Sequence, residues 1–128
     1  MHRSRLSAII IDCNESGYAQ GVEFWSRALG REPDPGQEPD ERYTRLVDRP
    51  GQLRVEVQRL SEPSAYHLDI ETDDVEAEVA RLEKLGAVRK YKIKTWWVMR
   101  APTGHDFCVI RPQTKSLASD PGTTAWED

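Results

Sequence analysis

The stretch AYHLDIETDDVEAEVARLEKLG, residues 65–86, decides the fold. Over its first seven residues Tyr66, Leu68 and Ile70 alternate with His67 and Asp69. That period of two predicts a strand over Ala65–Glu71 with two unlike faces. The period then changes. Val75, Val79 and Leu82 recur at helical spacing and predict a helix over Asp73–Leu85 that buries one stripe. Asp73 with Glu76 fits a capping box at its start, and Gly86 supplies the stop. Downstream, Val88–Ile93 and Trp96–Met99 read as strands. A turn at Pro102-Thr103-Gly104 follows, and Asp106–Ile110 closes the unit.

Working back from residue 65, the same order is met again. Leu6–Cys13 (LSAIIIDC) is an apolar, β-branched strand. Tyr18, Val22, Trp25 and Leu29 make one helical face, with Ser16 as N-cap and Gly30 as stop. Arg31–Glu41 is an irregular, proline-rich loop, and Tyr43–Asp48 a short strand. After a turn at Arg49–Gln52, Leu53, Val55 and Val57 alternate with Arg54, Glu56 and Gln58. Leu29-Gly30 matches Leu85-Gly86, and each half reads strand, helix, glycine, three strands. This is an internal duplication. It implies an α+β domain over residues 1–112, with one βαβββ module at about 6–60 and a second at about 65–111.

The 128-residue length suits one domain. The tail, 113–128, is polar and small, with only Leu117 and Trp126 as anchors, and is expected to pack poorly. A net charge of -4 argues against general nucleic-acid binding. No apolar run reaches the length of a membrane span, and the basic start lacks the apolar stretch of a secretion signal, so a cytoplasmic location is expected. Cys13 and Cys108 stand far apart, in no metal-type spacing. Lys90, Lys92 and Lys94 alternate as on a charged edge strand.

Several motifs resemble the vicinal oxygen chelate superfamily of glyoxalases, bleomycin-resistance proteins and dioxygenases. Phe24-Trp25 with Ala28-Leu29-Gly30 resembles its opening helix. His67-Leu68-Asp69-Ile70, Asp74-Val75 and Leu85-Gly86-Ala87 resemble its second half. Trp96, Val98-Met99, Pro102-x-Gly104 and Phe107-Cys108-Val109 are similar to its closing strands, in the glyoxalase-like subgroup. The resemblance covers roughly residues 6–112. It implies a curved, cup-shaped mixed sheet, a small-molecule ligand and a homodimer.

The metal enzymes of the superfamily take one ligand from the first and last strand of each module. By alternation those positions here are Ala8, Glu56 (or Gln58), His67 and Cys108. Alanine cannot ligate a metal, so the usual four-ligand site is broken and no cofactor is assigned. Were a divalent metal bound, His67, Glu56 and Cys108 would be its ligands. The residues left facing the cup suit acid/base chemistry centred on His67, with Glu56 or Asp69 as its neighbour and Cys108 as a further catalytic candidate. Arg54, Gln58, Asp69, Trp96 and Trp97 would bind ligand. The adjacent tryptophans must point to opposite faces. Two functions follow: a glyoxalase-like enzyme without the usual metal site, or a non-catalytic protein that sequesters an aromatic drug or metabolite.

Overall fold

The computed structural model describes residues 1–128. Backbone contacts divide the chain into two units, one of Ala8–His67 and one that joins Met1–Ser7 to Leu68–Asp128.

The first unit is built from β1 (His2–Asn14, from Ala8 on), α1 (Tyr18–Leu29), β2 (Tyr43–Arg45), β3 (Arg54–Leu60) and the start of β4 (Ala65–Thr72). β1 runs parallel to β3, with Ala8 opposite Arg54, Ile10 opposite Glu56 and Asp12 opposite Gln58. β2 pairs antiparallel on the far side of β3. The alternation expected along β3 is observed: Val55 and Val57 join Ile11, Cys13, Tyr18 and Leu46 in a core, against which Ile9, Val22 and Trp25 pack. Leu53 lies outside the strand and is exposed.

Two local expectations need correction. Ser16 does not cap α1. Asn14 accepts from the Ser16 backbone N–H at 3.1 Å and caps a 3-10 turn over Glu15–Gly17, and α1 then starts behind Gly17 without a side-chain cap. The first half also carries two strands after its helix rather than three. The missing one is reduced to a single bridge between Pro33 and Leu46, at a residue with no N–H to extend a ladder. The loop is held by Arg31, which is buried. Its Nε donates to the Val47 carbonyl at 2.8 Å and its Nη1 to the Leu53 carbonyl at 3.0 Å. Gly30 ends α1 at φ 64°, as its place behind the last apolar residue predicts.

The second unit contains α2 (Val75–Lys84), β5 (Val88–Ile93), β6 (Trp96–Arg100), β7 (Asp106–Ile110) and β8 (Thr124–Trp126). Strands run in the order β4-β7-β6-β5, which leaves lysine-bearing β5 at the edge, as expected. β7 is parallel to β4 and antiparallel to β6. Val79, Met99 and Val109 form the core beneath α2, with Val75, Leu82, Ala87, Trp97 and Phe107 around them. The helix starts later than the Asp73 reading implies. Asp74 is the N-cap and accepts from the Ala77 N–H at 3.0 Å, because Asp73 is engaged elsewhere and accepts from the Arg3 N–H at 2.7 Å.

The tail is not poorly packed. β8 pairs with His2–Ser4, Trp126 Nε1 donates to Ser4 Oγ at 2.9 Å, and the Arg81 guanidinium lies 3.8 Å from the Trp126 ring. Leu117 is buried, and Arg5 ties Asp120 and Thr114 to buried Glu71. Aromatic and charged side chains supply the anchoring that the tail's low apolar content does not.

Candidate active site

In each unit one sheet face is covered by a helix, so the functional side chains are those on the other face. In the first unit, register places Ala8, Ile10 and Asp12 of β1 beside Arg54, Glu56 and Gln58 of β3. Arg45 of β2 lies opposite Glu56, and Tyr43 opposite Gln58. His67 reaches this face from β4. Its Nδ1 lies 2.6 Å from Asp12 Oδ2. A carboxylate can only accept, so Nδ1 carries the proton and Nε2 is the basic nitrogen.

Asp12 is the residue that the sequence reading missed. Its side chain is only 8% exposed, that of His67 17%. The other carboxylate oxygen, Oδ1, is buried with no hydrogen-bond partner, so the charge of Asp12 is stabilised through His67. Asp12 thereby fixes the ring's orientation and tautomer. The signal was an acid at the end of a strand that is otherwise apolar, LSAIIIDC.

Glu56 does a different job from the one expected of it. Its Oε1 accepts from Arg54 Nη1, and also from Arg45 Nε at 3.5 Å. One carboxylate thus serves two guanidiniums. Gln58 stands in register with Asp12, at the histidine end of the face.

In the second unit, Asp69 of β4 and Cys108 of β7 are register partners, and a carboxyl and a thiol therefore share one face. Asp69 is two residues from His67 on β4 and so has the same facing along the strand. The adjacent tryptophans diverge as alternation requires. Trp97 goes to the helix side, where Nε1 donates to Glu76 Oε1 at 3.0 Å and Arg89 lies over the ring. Trp97 is therefore part of the packing beneath α2 and not a lining of the open face. Trp96 takes the opposite side, in register with Ile93, and the pair Val98 and Tyr91 follows it. Hydrogen bonds from Trp97 and then Arg89 hold the Glu76 carboxyl below its ordinary value. Cys13 belongs to the first unit's core, and burial pushes its thiol up.

The four-ligand metal site does not fit these residues. Ala8 is fully buried and has no donor. Glu56 is neutralised by Arg54 and Arg45, cations that would repel a divalent ion. The carboxylate nearest His67 orients its ring.

Comparison with other proteins agrees with this fold. No curated protein matches the chain by sequence. Methylmalonyl-CoA epimerase from Mycobacterium tuberculosis superposes with a TM-score of 0.61 at 15% identity, covering 90% of this chain and 92% of that one. A hypothetical protein from Bacillus halodurans gives 0.64 at 9% identity, covering 88% and 96%. A variant of homoprotocatechuate 2,3-dioxygenase from B. fuscum gives 0.58 at 15%, over 86% of this chain and 33% of that one. Such identities establish a shared fold. The glyoxalase-like domain family matches residues 8–110, nearly all of both modules, and the chain belongs to that family.

Proposed function

We propose that this chain is a glyoxalase-like enzyme that moves a proton on a small organic substrate without a divalent metal at the superfamily's ligand positions. His67 is the general acid/base, through Nε2. Asp12 is its positioning residue. The observation that carries this reading is the 2.6 Å contact between His67 Nδ1 and the buried Asp12 carboxylate, with the His67 side chain 17% exposed. A histidine whose second nitrogen is anchored by a buried carboxylate accepts and returns a proton without reorienting, worth ~10²–10⁴ in rate. The cations beside Glu56 disfavour a metal there, so the charge that develops on substrate must be met by side chains.

The test is proton exchange. A panel of small ketones and keto acids is incubated with protein and chelator in D2O, and loss of the C–H signal is followed by NMR. The expected result is exchange that survives chelation and falls at least ~100-fold in His67→Gln. Asp12→Asn should lower kcat with little change in KM, which a loss of fold would not do. Exchange that needs added metal, or that is unchanged in His67→Gln, overturns the proposal.

A second reading has its own observation. Trp96, Ile93, Val98 and Tyr91 share one face of the second unit. Such a surface suits a flat aromatic ligand held by stacking, as a sequestering protein would hold it. Quenching of Trp96 by aromatic compounds, with no exchange under any condition, would favour that function.

A further inference from the structure

β5 pairs with β6 in a register that slips between Arg89 and Tyr91. Before the slip, Arg89 stands opposite Met99, which belongs to the core beneath α2. After it, Tyr91 stands opposite Val98, on the open face of the second unit. Lys90 is the extra residue of a β-bulge. Strict alternation would send Tyr91 to the helix side with Arg89. The bulge instead sets Lys90 and Tyr91 side by side on the open face, with Lys90 Nζ 5.9 Å from the centre of the Tyr91 ring.

Lys90 does not stand out from the sheet edge, as a lysine that only deters strand pairing would. It reaches across β6 to β7, where Nζ donates to Asp106 Oδ2 at 2.7 Å. Arg100 of β6 is the register partner of Asp106 and donates through Nε to Oδ1 at 3.0 Å. Two cations thus flank one carboxylate, and the trio keeps a net positive charge. The side chains of Lys90, Asp106 and Arg100 are 29%, 39% and 52% exposed, so a ligand can reach them. Arg100 spends Nε on Asp106, which leaves the terminal nitrogens of its planar fork for an oxyanion.

Val98, opposite Tyr91, is two residues from Arg100 along β6, and Trp96, opposite Ile93, is two further. At ~3.3 Å per residue the charged row stands about 7 Å from the row of Tyr91 and Val98. Val98 is buried while Tyr91 is 52% exposed, so an accessible aromatic ring lies beside the charges.

We infer that Lys90 and Arg100 form the anion subsite of a binding face for small aromatic acids. The ligand's ring lies over Tyr91 and Val98 toward Trp96, and its carboxylate or phosphate, on a short arm, meets the two cations. The inference deepens the aromatic-ligand reading of Trp96 and is independent of proton transfer at His67. Neither half of the face is selective alone. Exposed cations attract any anion weakly, because water and salt screen them, and an exposed ring attracts any apolar surface. Selectivity comes from the spacing of the rows, which a ring and an anion on one frame can span.

The experiment is titration calorimetry on the full chain at low ionic strength. The probes are 3-phenylpropanoate and benzyl phosphate, with 3-phenylpropanamide as the neutral ring and propanoate as the anion without a ring. The tighter aromatic anion is expected to bind about tenfold more tightly than either control and to weaken as salt is raised. Which of the two is tighter assigns a carboxylate or a phosphate. Lys90→Met and Arg100→Met should each weaken it about fivefold and leave the amide within about twofold. Lys92→Met removes the same charge from the same strand, but at a position in register with Trp97 on the helix side, and should leave both ligands within about twofold. Tyr91→Ala should weaken acid and amide alike. If Arg100→Met fails to fold by circular dichroism, Lys90→Met carries the test. An aromatic anion no tighter than the amide, anion binding unchanged in Lys90→Met and Arg100→Met, or an equal loss in Lys92→Met overturns the anion subsite and leaves the aromatic reading standing. No binding of any aromatic probe overturns both.

Discussion

His2 lies between two carboxylates: Nε2 is 2.9 Å from Glu78 Oε1, and Nδ1 meets Asp128 Oδ1. Both ring nitrogens face acceptors, so both carry protons and the bound ring is an imidazolium. The histidine is 1% exposed and Glu78 fully buried. Burial opposes the charge on His2, but the bonds to Glu78 and Asp128 outweigh it, and the ring titrates above its ordinary 6.5. A raised folded value means that the stabilisation is complete below the unfolded chain's value. It drains away as pH rises through the folded value.

His2→Gln removes this charge and keeps a donor. A hydrogen bond to a charged group contributes ~1.5–3 kcal/mol, and stripping the partner from a buried ion costs ~3–5. Glu78 retains Arg81, which donates to it at 2.7 and 3.0 Å, so the lower range applies: about 1.5–3 kcal/mol. For a chain of this length that is a fall in Tm of roughly 5–12 °C. The assay is thermal unfolding by circular dichroism from about pH 5.5 to 9.5, a window that spans the histidine titration. The two proteins should differ most at the acid end and converge at the alkaline end. A gap that stays constant across that range would refute the reasoning, because it would show that shape and not charge holds the tail to β1.

Three further outcomes are expected. Trp97→Phe removes the strongest support of the Glu76 carboxylate, so Glu76 should titrate closer to its ordinary 4.5, as read by NMR, with Arg89 retaining part of the shift. Arg31→Met leaves the Val47 and Leu53 carbonyls without their donor and should cost about 2–4 kcal/mol in denaturant unfolding, far more than a surface arginine. Gly21→Ala ought to stabilise a helix by ~1 kcal/mol on propensity alone. Its Cβ would meet Cys13 Sγ at 2.8 Å, however, so the variant should lose stability by urea unfolding, and Cys13→Ala in the same chain should restore it.

The repeat was legible because each half had to bury one helix stripe against one strand face, and both periods are written in apolar residues. Val55 and Val57 could face only α1, and this fixed Arg54 and Glu56 on the other side before any contact was known. Errors fell where a polar side chain had a choice of partners. Asp73 and Asp74 are equal candidates for a cap in sequence, and the backbone N–H of Arg3, 70 residues away, selects between them. The tail was misjudged for the same reason. Arg5, Glu71 and Asp120 find each other only once the chain is folded.

Asp12 shows how such a miss could be narrowed. A carboxylate near the end of an apolar strand is costly unless something pairs with it, so its presence in LSAIIIDC announces a partner of opposite charge or a proton donor. The chain offers few donors that alternation would bring to the same face of a neighbouring strand, and His67 is one. Demanding a partner for every acid in an apolar strand would have found the pair without coordinates. The same demand applied to Glu56 gives the opposite answer: it has cations on both its own strand and the next, at Arg54 and Arg45, and so has no need of the histidine. Two carboxylates on one face are thus sorted into two roles by what neutralises each, one orienting a base and the other gathering positive charge.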